Sequence, residues 1–506
     1  MSTVGQELAQ HGSRHAEPAD GAAPPAPGKA ARVSRLALMC ALIACLNAVC
    51  WSLLTPAFEV PDEPDHFAYV KQLAETGHLP SSSSEQLSKE ETAVLSALHY
   101  EKVRLRPQVR TLATQREQVV LERTLAATAH EVGSPAAGLA TSQPPLYYAL
   151  EAIPYSLERS GSVLDRLQLM RLLSTLFAGL TAFFTFLFLR EALPGAPWAW
   201  TVGGLSIALA PLLGFMSGAV NPDALLFAVS AATFFCLARA FRRGLSTRGA
   251  VAIGAVTALG FLTKLNFIGL APGILVALLV LAARAARVSR RAALGRLALA
   301  GAVALIPVMA YAAINALSGH PLLGIVSGAI QLQGPLPAEL NYVWQLYLPR
   351  LPGTVNDFPG LFSTRQIWFN GYVGLYGWLD TPMPGWLNDV ALIPAAAIAL
   401  LCGRSLYQRR AALRRRAFEL LAYAVMSVGL MALIGAASYH AFPATDAEFG
   451  QVRYLLPLLP LLGAILVLAA RGAGRRWGPA VGALIVVLFL AHDVFSQLQL
   501  VARYYG

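Results

Sequence analysis

Charge is scarce in this chain. Of its 506 residues, 13% are Asp, Glu, Lys or Arg, against about a quarter in soluble domains, and the mean hydropathy is +0.53. Such a composition excludes an ordinary soluble domain. Lysine is scarcer still, with Lys264 the only one after Lys102. Cysteine is confined to Cys40, Cys45, Cys50, Cys236 and Cys402, all in apolar runs and without C-x-x-C spacing. That spacing excludes a disulfide framework or zinc site and leaves small packing residues. No soluble nucleotide-binding signature is present. A single basic surface is lacking too, because the net charge of +11 is carried by Arg residues scattered over short loops, at 239–248, 284–296, 404–416 and 471–476. Nucleic acid is thereby excluded as a partner, and the charge encodes topology through the positive-inside rule.

What the chain does have is a series of apolar runs close to the ~20 residues that cross a bilayer. The fold class is an all-α polytopic integral membrane protein, with about eleven transmembrane helices plus juxtamembrane helices. Residues 1–34 read as a disordered cytoplasmic tail, in which His11 and His15 are composition rather than ligands. A membrane module over 35–316 follows, with a first span at about 36–55 and a large first external loop at 57–143. Within that loop, Ser88 and Glu91 form a capping box for a helix running towards His99, and Arg110 to Thr128 reads as a second polar helix. Further spans are expected at about 167–190, 198–218, 222–240, 249–264, 267–284 and 296–316. An external loop at 317–387 then precedes the C-terminal module, 388–506, with spans at about 388–403, 417–437, 453–470 and 477–496. The apolar stretch 145–158 is short for a crossing and is assigned to a juxtamembrane or re-entrant helix. That assignment leaves Arg159, Arg166 and Arg171 outside, against the positive-inside rule. It places the N-terminus in the cytoplasm and the C-terminus outside.

The stretch around which the rest is organised is Pro61-Asp62-Glu63-Pro64-Asp65-His66-Phe67, where the first span leaves the bilayer. Asp62 and Glu63 are about 100° apart if helical, and can converge in a turn. Sugar transfer needs a carboxylate to take the acceptor proton, and a second can orient the acceptor or tune the first. An acidic helix N-terminus, favoured by the dipole, accounts for the same residues. Asp65 and His66 add to the first reading, since a solvated cap seldom needs four ionisable groups in five residues. Asn221-Pro222-Asp223 puts Asp223 at the external start of a span, as a Pro-initiated cap or a functional acid. Lys264 ends an outward-facing apolar run, either snorkelling or holding an anionic lipid phosphate. Arg365 and Arg453 suit bidentate phosphate contacts. Trp378 and Asp380 lie in a late loop rich in aromatics and glycine, which suits an interfacial belt or sugar stacking. Pro457 and Pro460 should kink the helix that Arg453 begins.

These residues, together with Gln143-Pro144-Pro145-Leu146-Tyr147-Tyr148, Gly377-Trp378-Leu379-Asp380 and Gln451-Val452-Arg453-Tyr454-Leu455-Leu456-Pro457, resemble the bacterial membrane family known as domain of unknown function 2142. The resemblance covers nearly all of the chain after the tail. More distantly the chain is similar to the C-type glycosyltransferase superfamily, in which an Asp-Glu pair in the first external loop and a later Pro-Pro-Leu segment line the active site. The resemblance implies sugar transfer from a polyprenyl-phosphate donor on the outer face of the inner membrane. It implies Asp62 as base, Glu63 as its acidic partner, and Lys264 or Arg453 at the donor phosphate, with Gln143 and Tyr147 lining the site.

The expectation is therefore an inner-membrane glycosyltransferase whose partners are membrane lipid, a polyprenyl-phosphate sugar and a glycan, lipid or protein acceptor. No cofactor is certain; a divalent metal, Mg or Mn, stays open because Asp62, Glu63 and Asp223 can supply oxygens. A transporter or flippase of lipid-linked sugar would instead carry ionisable groups near midplane and inverted repeats. A non-catalytic scaffold would tolerate loss of the acid pair.

Overall fold

The computed structural model describes residues 27–81, 87–109, 114–128, 130–134, 137–317, 335–358, 363–445 and 450–505. The expected tail lies outside these residues up to Ala26, as do His11 and His15. The described residues are helical almost throughout; the strands among them are the two-residue pair Leu375–Tyr376 and Thr381–Pro382. Among the described residues, nine helices are long and apolar enough to cross a membrane. Pro197–Ala208 and Pro211–Ser217, bent by 52°, make a tenth if the pair is one span. Pro211 at the start of the second piece cannot donate the hydrogen bond that would continue the first, which accounts for the bend. The remaining expected span is the shorter apolar helix Thr247–Thr263, 17 residues packed along Arg290–Leu317. The stretch assigned to the surface is the helix Leu146–Leu157. At 12 residues and about 1.5 Å per residue it is too short to span hydrocarbon about 30 Å thick.

Local sequence accounts for the polar segment between the first two spans. Ser88 and Glu91 form the reciprocal capping box and start the helix Lys89–Ala97. Thr114 and Glu117 form another at the helix Gln115–Ala127. Val452–Leu458 is wound as 3-10 helix and the α-helix begins at Leu459. The break falls where Pro457 and Pro460 withhold amide donors.

The two ends of the bundle differ in chemistry. At one end the Arg-rich turns meet: Glu191 accepts from Arg190, Arg242 and Arg243, Arg296 donates to the Leu245 carbonyl at 3.0 Å, and Arg416 donates to the Ala192 carbonyl. At the other end the turn at 58–63 meets the starts of the helices Asp223–Arg243 and Leu459–Gly472. Arg166 and Arg171 lie at this second end. Arg166 is paired with Glu75 and Glu90, and Arg171 with Glu63, all buried on the arginine side.

Candidate active site

Asp62 precedes the helix Glu63–Thr76 in a left-handed conformation, φ 67°, which costs a non-glycine residue free energy and is common at functional sites. Its side chain does not cap the helix. It accepts instead from Arg453 Nη2 at 2.6 Å. Arg453 also donates to the Tyr454 hydroxyl, at 3.1 Å, and reaches the Pro61 carbonyl. Asn221 Nδ2 donates to that same Pro61 carbonyl at 3.2 Å, while its Oδ1 accepts from the Asp223 amide at 3.0 Å. Lys264 Nζ donates to Asp223 Oδ1 at 2.7 Å, and Asp223 Oδ2 has no hydrogen-bond partner. The Lys264 ammonium and the Arg453 guanidinium both lie against the Tyr454 ring, at 5.9 and 5.0 Å from its centre. Four separate turns thus bring two acids and two cations together. Asp223, Lys264 and Arg453 are buried, and the Asp62 side chain keeps 27% exposure.

Electrostatics set the protonation states. Burial by itself would raise the Asp62 carboxyl, but Arg453, His66 and Lys264 together hold it below the usual aspartate value. His66 is driven by burial, against the opposing pull of Asp62 and with help from Lys264 and Arg453, down to about 3. It is a neutral imidazole at physiological pH, with Nδ1 at 2.9 Å from the Tyr148 hydroxyl. Tyr148 in turn stacks on Tyr69.

Glu63 belongs to a different network. Its carboxylate receives Arg171 Nε at 2.8 Å and Nη2 at 2.5 Å, the Phe58 amide at 2.9 Å and the Val220 amide at 3.0 Å. Fully buried and with four donors, it faces away from Asp62. The adjacent pair is split between two cations by the helix start between them. Asp65 also turns aside and accepts from the Leu139 amide. Gly138 beside it has φ +47° and no room for a Cβ against that carboxylate.

The other residues expected at the site serve elsewhere. The Tyr147 hydroxyl pairs with Ser174 at 2.8 Å, which donates to Glu151. Gln143 offers its carbonyl to Tyr69, and its buried Oε1 has no partner. Trp378 Nε1 donates to the Phe58 carbonyl, and the Arg104 guanidinium covers its ring at 4.0 Å. Asp380 accepts from the Leu105 amide and faces Arg503 at 3.9 Å. Arg365 forms an exposed pair with Asp389. The late loop therefore clamps the first external segment rather than joining the cluster. Tyr454, Tyr148 and Arg171 went unassigned at the sequence level. The first two stand inside quoted motifs, whereas Arg171 had no local signal beyond its unexpected side of the membrane.

Beside Asp62 and Arg453 lies a cavity of about 460 Å³, bounded by Pro61 and Arg453 and lined largely by apolar side chains such as Leu212, Phe215 and Met216. Among the described residues, no three His, Cys, Asp or Glu side chains converge to hold a metal. Asp62 and Asp223 are each paired with a cation.

Glu59, next to the site, yields a pH prediction. Burial first, then Asp380 and Glu63, push its carboxyl up from 4.5 to about 8, against the lowering effect of Tyr504 and Arg503. A raised folded-state value means that the native protein holds a proton the unfolded chain has released. Stability is therefore full below about pH 4.5 and declines as pH rises through about 8. Wild type melts several degrees lower at pH 9 than at pH 6, and Glu59→Gln removes most of that difference. Parallel declines in both proteins would show that another group is responsible.

A family model described as "predicted membrane protein (DUF2142)" matches residues 45–462. The comparison with curated proteins finds no match.

Proposed function

The chain belongs to this family of membrane proteins, and from that premise we propose that it is a glycosyltransferase, moving a sugar from a polyprenyl-phosphate donor to a cell-envelope acceptor at the external face of the bacterial inner membrane. The observation that carries the reading is the meeting of Asp62, Arg453, Asp223 and Lys264 beside an apolar cavity, at the bundle end opposite the Arg-rich turns. By the positive-inside rule that end is external, with the N-terminus cytoplasmic and the C-terminus outside.

Asp62 is the base in this scheme. The acceptor oxygen forms its bond to the anomeric carbon, the bond from that carbon to the phosphate oxygen breaks, and the acceptor proton passes to Asp62. The electron pair leaves with the phosphate. Two acids and two cations sum to zero charge in the resting cluster. Once Asp62 takes the proton, Lys264 and Arg453 are left with one uncompensated positive charge, generated as the phosphate departs. Stabilisation that grows only as the reaction proceeds lowers the barrier rather than tightening substrate binding. Glu63 acts as a positioning residue: with Arg171 it fixes the turn that carries Asp62. Asn221 holds the same turn through the Pro61 carbonyl.

The test is turnover by protein in nanodiscs, given a short-chain polyprenyl-phosphate hexose and envelope extract as acceptor source. Wild type transfers label and Asp62→Asn loses most of that activity. Equal turnover by the two removes the catalytic assignment. In sealed proteoliposomes, passage of the intact donor across the bilayer without cleavage would favour a flippase instead.

A further inference from the structure

The cavity beside Arg453 has a second chemistry along its apolar walls. Asn370, Asn388 and Gln451 line it from three different segments of the chain. Each has a buried side-chain oxygen without a hydrogen-bond partner: Asn370 Oδ1, Asn388 Oδ1 and Gln451 Oε1. Arg453 Nε is likewise buried and unpartnered, while Nη2 of the same guanidinium holds Asp62. A fourth carboxamide on the wall, Gln366, is already used by Ser363. Leaving such a group buried and unpaired is costly, so four around one cavity point to a ligand that satisfies them.

The chemistry of that ligand follows from the groups. Three amide oxygens require donors, which a bare phosphate or carboxylate does not offer. Among the described lining residues Arg453 is the one that carries charge, and Asp62 already neutralises it, so a cationic amine finds no free countercharge on the wall. Hydroxyl groups both donate and accept, and they pair with a carboxamide in either of its two orientations. Leu212, Phe215 and Met216 supply apolar surface for the faces of a sugar ring or an attached lipid. A volume of about 460 Å³ falls within the roughly 300–1,000 Å³ of small-molecule sites.

We propose that this cavity binds an uncharged saccharide through Asn370, Asn388, Gln451 and Arg453 Nε. It is the acceptor subsite, presenting a sugar hydroxyl towards Asp62. The term acceptor rests on the glycosyltransferase reading; the binding of a neutral sugar does not. Arg453 would then join the two halves of the reaction, sensing the acceptor with Nε and holding the base with Nη2.

The experiment measures binding to the full chain in phospholipid nanodiscs prepared without glycoside detergents, following tryptophan fluorescence. Three probes share one alkyl chain: decyl β-glucoside, decyl 2-amino-2-deoxy-β-glucoside and decyl phosphate. The neutral glucoside binds saturably, and the amino sugar and the phosphate bind at least about tenfold more weakly. Asn388→Leu and Asn370→Leu, each with an unchanged melting temperature, weaken the glucoside about tenfold, the loss expected for about 1.4 kcal/mol of hydrogen bonding. Equal binding of the three probes, or glucoside affinity undiminished in a folded variant, overturns the proposal. Free glucose added as competitor distinguishes a soluble from a lipid-linked saccharide. Glucoside binding alongside Asp62-independent turnover would sink the transfer mechanism and leave the cavity assignment standing. Asp62-dependent turnover without glucoside binding would do the reverse.

Discussion

Arg171→Met lowers the stability of the protein by about 3–5 kcal/mol, because it leaves the Glu63 carboxylate buried with no countercharge. The arginine does more than neutralise an acid. Its Nη1 and Nη2 groups also donate to the carbonyls of Ser52, Thr55 and Pro56, at 3.2, 2.8 and 2.9 Å. These are the last carbonyls of the first span and the turn after it. One side chain thus closes the end of one helix, holds the start of another and is itself anchored in a third, Val163–Ala192. The double variant Glu63→Leu/Arg171→Met recovers the part of the loss due to an isolated buried charge. It does not recover the orphaned carbonyls or the Phe58 and Val220 amides, each of which costs about 1–3 kcal/mol when buried unpaired. Thermal melts in one fixed lipid and detergent composition check the order: wild type most stable, double variant intermediate, Arg171→Met lowest. An unchanged melting temperature for Arg171→Met would mean that the network contributes nothing. Glu63→Gln belongs to the same experiment: it loses stability, while the folded fraction keeps turnover within about tenfold of wild type, as expected of a group that does not move the proton.

Asp62→Asn has the opposite profile. Asn tolerates the left-handed conformation and can still accept from Arg453, so the melting temperature moves little. Turnover falls by about 10²- to 10⁴-fold, the usual range for removing a general base. The pH profile adds a second readout. Burial works to raise the Asp62 carboxyl, yet Arg453, His66 and Lys264 outweigh it and keep the carboxyl below its ordinary value of 3.8. A lowered value keeps the base ionised down to acid pH. Wild-type turnover is therefore flat from about pH 5 to 8 and falls only below about pH 4. Removing the guanidinium in Arg453→Ala lets the carboxyl rise, so the acid limb of the profile moves to higher pH. An acid limb that stayed in place would show that Arg453 does not tune the base.

Much of this was legible before any coordinates. The capping box of Ser88 and Glu91 follows from spacing alone, because a cap is satisfied by residues three apart and depends on nothing distant. The short helix Leu146–Leu157 follows from its length. Pro457 and Pro460 announce their break because proline removes a donor wherever it sits, whereas the bend at Pro211 falls inside the stretch 198–218, expected as one unbroken span. The motif turns at 61–67, 221–223 and 451–457 were also visible as interruptions in apolar runs, and they do converge.

Pairings across long stretches of chain were not legible. Asp62 and Glu63 are neighbours, and sequence left open whether they would work together. Their separation follows from the positive φ at Asp62, which aims one carboxylate at Arg453, 391 residues away, and the other at Arg171, 108 residues away. Arg365, Trp378 and Asp380 have the right chemistry for a sugar-phosphate site, yet each is committed to another partner. Asn370 and Asn388 carry no charge and sit in no periodic pattern, so nothing marked them until they faced one hollow with Gln451, which stood in a quoted motif without a role.

The sequence by itself determined the membrane class, the ends of the helices and which turns fall at which end of the bundle. Hydropathy, arginine placement and proline act locally, and local rules can be read one stretch at a time. Only the tertiary structure decided which acid meets which cation. Burial makes an unpaired charge so costly that partners must be found wherever the folded chain brings them, and that contact has no trace in spacing.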